Sequence, residues 1–229
     1  MCGRFALDVR ADEMREHFGV EGAPEILPRF NVGPEQRIAV IRGEDGTRHL
    51  AMLRWGFPVQ PPGTSQPKLV INARGETVDT KFTFRDAFHN RRCLIPASGF
   101  YEWLAAGRGP KQPYFVRPRS GVPFAMAGIW QGEIAANGQA IEYAAIVTCE
   151  ANALLKPIHE RMPVIVMPAD WDVWLLGTPE AAKALIRPAR EDFFEVYPVS
   201  TAVNRMANDG PELTRPTNPA PTYRQTKLF

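Results

Sequence analysis

The chain has 229 residues, of which 45% are hydrophobic and 23% are charged, and its formal net charge is +2. This length suits one domain with a core of ordinary size, and the small net charge requires any nucleic-acid surface to be a local basic patch. Three cysteines with no CxxC pair argue against a disulfide framework or a zinc ribbon. The amino-terminal residues lack a signal-peptide pattern, and no apolar run reaches the roughly 20 residues that span a bilayer. We therefore expect a protein of the reducing cytoplasm that uses no metal or cofactor.

The predicted elements are short, and most of them are strands. Helices are predicted over 9–19, over 80–90 and near Pro168 and Pro179. In the first helix Met14 and Phe18 share one face, and Gly19 provides a stop. Two strands in 37–43 and 49–57 are predicted to be joined by the turn EDGT. Further strands at hairpin spacing are predicted in 93–104 and in the segments PYFVRP, PFAMAGIW, IEYAAIVT, PVIVM and FFEVYPVS. This order of elements predicts a β-rich α+β domain.

The chain changes character near its carboxyl end. Four prolines fall within residues 211–221, and the apolar periodicity is lost. We therefore divide the chain into a domain of residues 1–212 and a flexible Pro-rich tail of residues 213–229.

The second residue is a cysteine, so removal of Met1 would leave an α-amine and a thiol on one carbon. The α-amine has a pKa near 7.7–8.0, against about 10.4 for lysine, so much more of it is neutral at pH 7. Attack of the neutral amine on an aldehyde gives a Schiff base. The thiol can then close on the same carbon to form a five-membered thiazolidine. Cys2 fits equally well as an ordinary residue of a frayed terminus.

Three segments place polar side chains among apolar or aromatic ones: "INARGET", "SGFYEWL" and "PIHERMPVIV". They contain Asn72, Glu102 and His159, together with Arg74, Glu76, Glu160 and Arg161. Burial raises the pKa of a carboxyl, which would suit Glu102 to proton transfer near neutral pH. Each residue alone also fits a structural role, as an outward strand residue, a loop histidine or a turn residue.

Taken together, eight segments resemble one family, in order and over the chain to about residue 212: "MCGRF", "FNVGP", "RWGF", "INARGET", "CLIPASGFYEW", "MAGIW", "IHERMPVIV" and "PVS". The family is SRAP, the SOS-response-associated peptidases, which are understood as abasic-site shielding proteins. The resemblance implies a β-rich α+β fold with a pseudo-barrel core and a positively charged cleft. It also implies covalent capture of abasic sites in single-stranded DNA through the N-terminal cysteine, as a thiazolidine.

The resemblance assigns four catalytic residues. Cys2 matches the crosslinking nucleophile, and Asn72 matches the residue that holds the N-terminal cysteine in place. Glu102 matches the acid/base carboxylate. His159 matches the side chain that promotes opening of the deoxyribose ring, stabilises the Schiff base and assists reversal. These roles agree with the chemistry, because opening a closed sugar to its aldehyde needs proton transfer.

The resemblance also assigns DNA contacts. Arg4 and Arg74 match phosphate-contacting arginines, which suits the bidentate geometry of guanidinium and phosphate. Trp55 and Pro34 match positions that contact or wedge the displaced bases, and a flat indole can stack on an exposed base. With no base to read, little sequence preference is expected. The variable segment "VQPPGTSQPK" receives no DNA contact.

Two other functions stay open at this point. Cys2 could be the N-terminal nucleophile of a cysteine peptidase or of an autoprotease. The only proteolysis that we expect is removal of Met1, by the cell's aminopeptidase or by self-cleavage. A peptidase needs an oxyanion hole and a peptide groove, neither of which can be read from sequence. The chain could also be a non-covalent reader of single-stranded DNA. In all three cases we expect a monomer, located in the cytoplasm and at the nucleoid when bound to DNA.

The last five residues form a separate motif. Gln225, Leu228 and Phe229 are spaced as Q-x-x-L-F, which resembles the pentapeptide that bacterial proteins use to dock on the replicative sliding clamp. Such a peptide places a glutamine and two apolar anchors in a preformed pocket. The alternative is a tail whose Leu228 and Phe229 pack on the protein's own surface.

Overall fold

Strands outnumber helices in this chain, whose computed structural model describes residues 2–21, 26–60, 63–64, 67–105, 111–134 and 138–218. Within these ranges the strands are β1 (Phe5–Leu7), β2 (Val20–Glu21), β3 (Arg29–Val32), β4 (Arg37–Glu44), β5 (Thr47–Trp55), β6 (Phe57–Val59), β7 (Lys68–Val70), β8 (Asn72–Arg74), β9 (Arg92–Ala97), β10 (Gly99–Leu104), β11 (Gln112–Pro118), β12 (Phe124–Ile134), β13 (Ala140–Glu150), β14 (Arg161–Pro163), β15 (Ile165–Val166) and β16 (Phe194–Pro198). The α-helices are α1 (Ala11–Phe18), α2 (Phe82–Asn90), α3 (Trp171–Leu176) and α4 (Pro179–Ala184). The predicted β-rich α+β class is confirmed.

Five strands close into a barrel in the order β5, β4, β9, β12 and β13. The neighbours in this order pair antiparallel, and a short parallel pairing of β13 with β5 closes the ring, with Tyr143 opposite Arg54 and Ala144 opposite Trp55. Closure removes the free edges that an open sheet would expose. The barrel is the pseudo-barrel core that the resemblance implies, and β13 extends beyond it to pair with β8 and β14.

A second sheet, in the order β16, β11, β10, β1 and β3, packs beside the barrel. Its strand β1 places the fully buried Phe5 against Trp55 of the barrel, with ring centroids 5.2 Å apart in an edge-to-face arrangement. One apolar cluster therefore runs between the two sheets. Burial of such a side chain contributes about 2–3 kcal/mol to folding. The junction also carries the amino terminus into the middle of the molecule.

Two local predictions are confirmed in detail. Helix α1 buries Met14 and Phe18, and it ends at Gly19, whose φ of 62° is the left-handed conformation that glycine adopts most readily. The predicted turn between β4 and β5 places Asp45 and Gly46 at positive φ, 49° and 78°. Positive φ at both central residues matches the right-handed twist of a tight hairpin.

Arg92, at the start of β9, is buried and joins three elements. Its Nε donates a hydrogen bond to the carbonyl of Trp174 at 2.5 Å, and its Nη1 donates to the carbonyl of Phe88 at 2.7 Å. Further hydrogen bonds reach the carbonyls of His89 and Gly177. Three of these carbonyls belong to the last turns of α2 and α3, and that of Gly177 directly follows α3. At such ends helices leave acceptors without intrahelical partners. Arg92 thus fixes both helix ends to the barrel.

The packed part of the chain extends beyond the predicted domain boundary at residue 212. Residues 199–218, which we call the C-terminal strap, pack on the second sheet. Leu213 is fully buried, and the backbone N–H of Thr217 donates to the carbonyl of Pro198 at 2.9 Å. Prolines predict flexibility in this segment, but Pro211 begins a short 3₁₀ helix at Pro211–Thr214 and Pro216 follows it. The motif residues Gln225, Leu228 and Phe229 lie outside the described residues.

No helix in the described ranges is long and apolar enough to cross a membrane.

Candidate active site

Cys2 and Asn72 are brought together at the end of the barrel. Cys2 lies three residues before the start of β1 and has no solvent-exposed surface. Asn72 begins β8, which pairs parallel with β13, and its Nδ2 donates a hydrogen bond to the carbonyl of Cys2 at 3.0 Å. The other side-chain atom of Asn72, Oδ1, is buried and accepts no hydrogen bond within the described ranges. The side-chain amide of Asn72 therefore holds Cys2 through its Nδ2 atom and leaves its Oδ1 atom as an acceptor.

Glu102 lies on β10, the strand next to β1. The backbone N–H of Tyr101 donates to the carbonyl of Arg4 at 2.9 Å, which aligns β10 with the first residues of the chain. The Glu102 side chain is almost fully buried. Burial raises the pKa of its carboxyl, while the positive charges of the amino terminus and of His159 oppose the rise. Glu102 is therefore a carboxyl whose neutral form persists to higher pH than usual.

Burial also controls the thiol of Cys2. Its pKa is raised well above the ordinary value, first by burial and second by the negative charge of Glu102. The Sγ atom lies 3.8 Å from the carbonyl oxygen of Arg4, a weak hydrogen bond at most. The side chain is thus a neutral thiol, and the thiolate that attacks carbonyls in cysteine hydrolases is disfavoured.

His159 completes the group from the loop between β13 and β14. The backbone N–H of Arg161 donates to its Nδ1 at 2.9 Å, so in the neutral ring the proton lies on Nε2. Its charge acts on Glu102, and the charge of Glu102 acts on Cys2. The four predicted catalytic residues therefore form one cluster, although they come from four separate segments of the chain. Asn72 is linked to Cys2 by its hydrogen bond, and Cys2, Glu102 and His159 are linked through their charges.

A salt bridge that the sequence analysis did not assign supports this cluster. Arg161 binds Glu76 in a two-pronged geometry, with Nη1–Oε1 at 2.6 Å and Nη2–Oε2 at 2.8 Å. The hydrogen bonds from Arg161 lower the pKa of Glu76. Lys183 donates to the carbonyl of Gly75 at 2.8 Å and to Asp79 at 2.6 Å. The signal was present in the sequence, because Glu76 and Arg161 belong to the same motifs as Asn72 and His159.

The two predicted phosphate contacts differ in their surroundings. Arg74 is exposed, and its guanidinium makes no ion pair within the described part of the chain. Arg4 turns inward, where its Nη1 donates to Oδ1 of Asn31 at 2.7 Å and to the carbonyl of Val203 at 2.8 Å. Burial lowers the pKa of Arg4. Arg74 is thus open to a ligand, whereas Arg4 ties the amino terminus to the C-terminal strap.

The prediction that Trp55 contacts a base is wrong. Trp55 is fully buried, and its Nε1 donates to the carbonyl of Ile71 at 3.0 Å. An indole with no exposed face cannot stack on a base, so Trp55 is a core residue. Pro34 is partly exposed, in the turn between β3 and β4. The partly exposed indole in this region is that of Trp103, beside Glu102, whose Nε1 donates to Oδ1 of Asn204 at 2.8 Å.

The cluster combines a thiol next to the chain terminus, an amide that holds it, a buried carboxyl and an imidazole of defined tautomer. These are the parts of a site for nucleophilic attack on a carbonyl with general acid and base assistance. The fold and the site thus define a strand-rich protein built around a cysteine at its amino terminus.

Comparison with known proteins gives the family. A family model described as SOS response associated peptidase (SRAP) matches residues 1–206. The abasic site processing protein YoqW of Bacillus subtilis is 35% identical over 222 residues, which cover 93% of this chain and 98% of the relative. The abasic site processing protein YedK of Escherichia coli is 31% identical over 230 residues, which cover 94% of this chain and 100% of the relative. The chain therefore belongs to the SRAP family.

Solved structures agree with this assignment at the level of the fold. A protein from Bacteroides thetaiotaomicron has a TM-score of 0.83 and 21% sequence identity, and the match covers 95% of this chain and 100% of that one. A protein from Bordetella bronchiseptica has a TM-score of 0.75 and 27% identity, with 87% and 100% covered.

Proposed function

We propose that this protein processes abasic sites in DNA repair by capturing them covalently in single-stranded DNA. The names of its relatives support the substrate, and the cluster around Cys2 supports the chemistry. In this proposal the enzyme-like step is Schiff-base chemistry at the terminal amine. Any peptidase activity is limited to the removal of Met1.

The reaction begins with the amine that the loss of Met1 releases on Cys2. Asn72 holds the carbonyl of Cys2, and its buried Oδ1 provides an acceptor that the released amine can use. The neutral amine attacks the C1′ aldehyde of the ring-opened sugar, and loss of one water gives the Schiff base. The thiol then adds to the same carbon, and its proton passes to the nitrogen. Amine, thiol and aldehyde thereby become a thiazolidine and one water.

Glu102 and His159 supply the proton transfers. Opening of the closed sugar requires a proton on the ring oxygen and removal of one from the C1′ hydroxyl. The raised pKa of Glu102 makes its neutral acid form available as a donor. The Nε2–H of His159 can donate a hydrogen bond in the same region, since Nδ1 is engaged by Arg161, and the second oxygen of the Glu102 carboxyl can accept the proton of the C1′ hydroxyl. Arg74 contacts the phosphates, and Arg4 adds a second positive charge from its partly buried position.

The neutral thiol of Cys2 is the observation that favours this function over acyl transfer. A cysteine peptidase needs a thiolate as its first nucleophile, and burial beside Glu102 opposes its formation. In thiazolidine formation the amine attacks first, and the thiol adds to an imine that is already activated. The site is therefore better suited to an aldehyde than to a peptide bond.

The decisive experiment is a denaturing gel after incubation with a single-stranded oligonucleotide that carries one abasic site. The wild-type protein should give a shifted band that survives heating, and Cys2→Ala should give none while still binding DNA in a native gel. Both Cys2→Ala and Cys2→Ser keep the amine and lose the thiol, so each should form a Schiff base that borohydride traps but no heat-stable ring product. Cys149→Ala, which changes another buried thiol, serves as the matched control and should crosslink normally.

The other functions give different results in the same assay. Free DNA on the denaturing gel with a shift on the native gel indicates a non-covalent reader. Cleavage of a peptide substrate without a DNA adduct indicates a peptidase. A heat-stable adduct of Cys2→Ala would show that the terminal cysteine is not the nucleophile.

We further propose that Gln225, Leu228 and Phe229 dock the protein on the sliding clamp. Abasic single strands arise where replication stalls, so binding to the clamp would raise the local concentration of the protein there. A peptide of residues 219–229 should bind purified clamp with a micromolar Kd, near −8 kcal/mol. The Leu228→Ala, Phe229→Ala peptide is the control. Equal binding of both peptides, or none at hundreds of micromolar (about −5 kcal/mol or weaker), would contradict this partner and leave the crosslinking proposal unaffected.

A further inference from the structure

Phe82 is the most exposed of the large apolar side chains in the described ranges, with 90% of its surface open to solvent. It is the first residue of α2, and the same helix buries Phe84 and Phe88. Phe84 packs on Phe57 with ring centroids 5.9 Å apart. The helix therefore uses its other aromatic residues for the core, and the ring of Phe82 contributes nothing to it.

The position of Phe82 is fixed relative to the site. The N–H of Thr77 donates to the carbonyl of Arg74 at 3.1 Å, and the N–H of Lys81 donates to the carbonyl of Thr77 at 2.8 Å. Two successive turns thus connect β8 to the start of α2, which sets Phe82 on the order of 10 Å from Arg74. Lys183 anchors the first of these turns through its contacts with Gly75 and Asp79.

The charges around Phe82 leave a net positive surface. The three acidic residues of the segment 74–86 are all in ion pairs, Glu76 with Arg161, Asp79 with Lys183 and Asp86 with Arg91. The three cations of the segment are exposed and form no ion pair with a described residue: Arg74, Lys81 and Arg85. An exposed aromatic ring among unpaired cations is the arrangement that binds single-stranded nucleic acid, since every base offers a flat face and every nucleotide a phosphate.

We propose that Phe82 stacks on a base that flanks the abasic nucleotide, with Arg74, Lys81 and Arg85 on the adjoining phosphates. This inference rests on the proposed function and names the aromatic contact that Trp55 cannot make. Single-stranded DNA is favoured over a protein as the partner, because the other large apolar side chains of the segment, Val78 and Phe84, are buried. One ring surrounded by cations offers a protein little apolar area.

The test uses non-covalent binding, so that its result does not depend on crosslinking. Fluorescence anisotropy with an intact single-stranded oligonucleotide is measured for Cys2→Ala and for Cys2→Ala combined with Phe82→Ala. Loss of one stacking contact should weaken binding about tenfold. The loss should be the same at every salt concentration because no charge is removed. Lys81→Ala should instead reduce the log–log salt slope by about 0.7.

Matched variants make the result specific. Phe82→Trp should restore binding, and Phe82→Leu should not, because leucine is apolar but has no face to stack on. Leu27→Ala removes another side chain that is 68% exposed and should leave binding unchanged. Equal effects of Phe82→Ala and Leu27→Ala, or full binding by Phe82→Leu, would overturn the stacking contact. Failure of the wild-type protein to crosslink would contradict the proposed function. The Phe82 variants report only on the stacking contact with single-stranded DNA.

Discussion

Burial of Glu102 links the chemistry of the site to the stability of the fold. Because burial raises the pKa of this carboxyl in the folded state, its ionisation favours unfolding. The stability of the neutral form is fully present below the ordinary carboxyl pKa of 4.5 and is lost as pH rises through the higher folded-state pKa. A buried acid is thus retained here at the expense of stability at neutral pH.

Glu102→Gln should separate these two effects. The variant should unfold at a higher temperature than the wild type, by a margin that is small at acidic pH and grows as pH rises above 4.5. The same variant should form the crosslink about 10²–10⁴-fold more slowly, because the proton donor is lost. Thermal melts over a pH series and single-turnover gels measure the two effects. The exposed Glu150→Gln is the control, and a melting-temperature gain that is independent of pH would contradict the prediction.

At the same scale, the sequence predicted the polar residues that lie together around Cys2 better than it predicted the aromatic contact. Cys2, Asn72 and His159 lie in motifs whose polar residues have few structural uses among apolar neighbours. Trp55 also lies in such a motif, but tryptophan is common both in cores and on binding surfaces. The sequence of its strand alone does not indicate which face of the strand is buried. Only the packing of Phe5 against Trp55 decides the question.

Among the elements, the first helix is predicted from its apolar spacing and the last two from their prolines, but the way the helix ends are attached is not predicted. Arg92 follows two other basic or amide residues, Asn90 and Arg91, and in sequence it resembles a surface arginine at the end of a helix. The four carbonyls that it binds belong to two helices that are far apart in the chain. Such a contact depends on tertiary structure, and no local pattern predicts it.

Arg92→Lys should test this attachment. Lysine keeps the charge, but its single ammonium cannot reach four carbonyls as a planar guanidinium does. Buried acceptors would be left without donors, and the free energy of unfolding should fall by about 2–3 kcal/mol. Urea unfolding followed by tryptophan fluorescence measures the change. The exposed Arg187→Lys should leave the free energy of unfolding unchanged. An equally small effect of both changes would show that the four hydrogen bonds of Arg92 contribute little to the stability.

For the whole molecule, the C-terminal strap closes the smaller apolar cluster. Leu213 packs there with Tyr101, Phe115 and Val203. Leu213→Ala should lower the free energy of unfolding by about 3 kcal/mol, as expected for a buried leucine. A chain that ends after residue 218 should keep the wild-type value in urea unfolding. A loss of stability in that shortened chain, with none in Leu213→Ala, would place the stabilising contacts beyond the strap.

The strap also reaches the first residues of the chain, through the bond from Arg4 to the carbonyl of Val203. During synthesis Cys2 leaves the ribosome long before its partners at positions 72, 102 and 159. The carbonyl at position 203 follows later still. Contacts between such distant parts of a chain form only when most of it is available to fold. A nascent chain would therefore carry Cys2 for much of its synthesis without the residues that bury it in the folded protein.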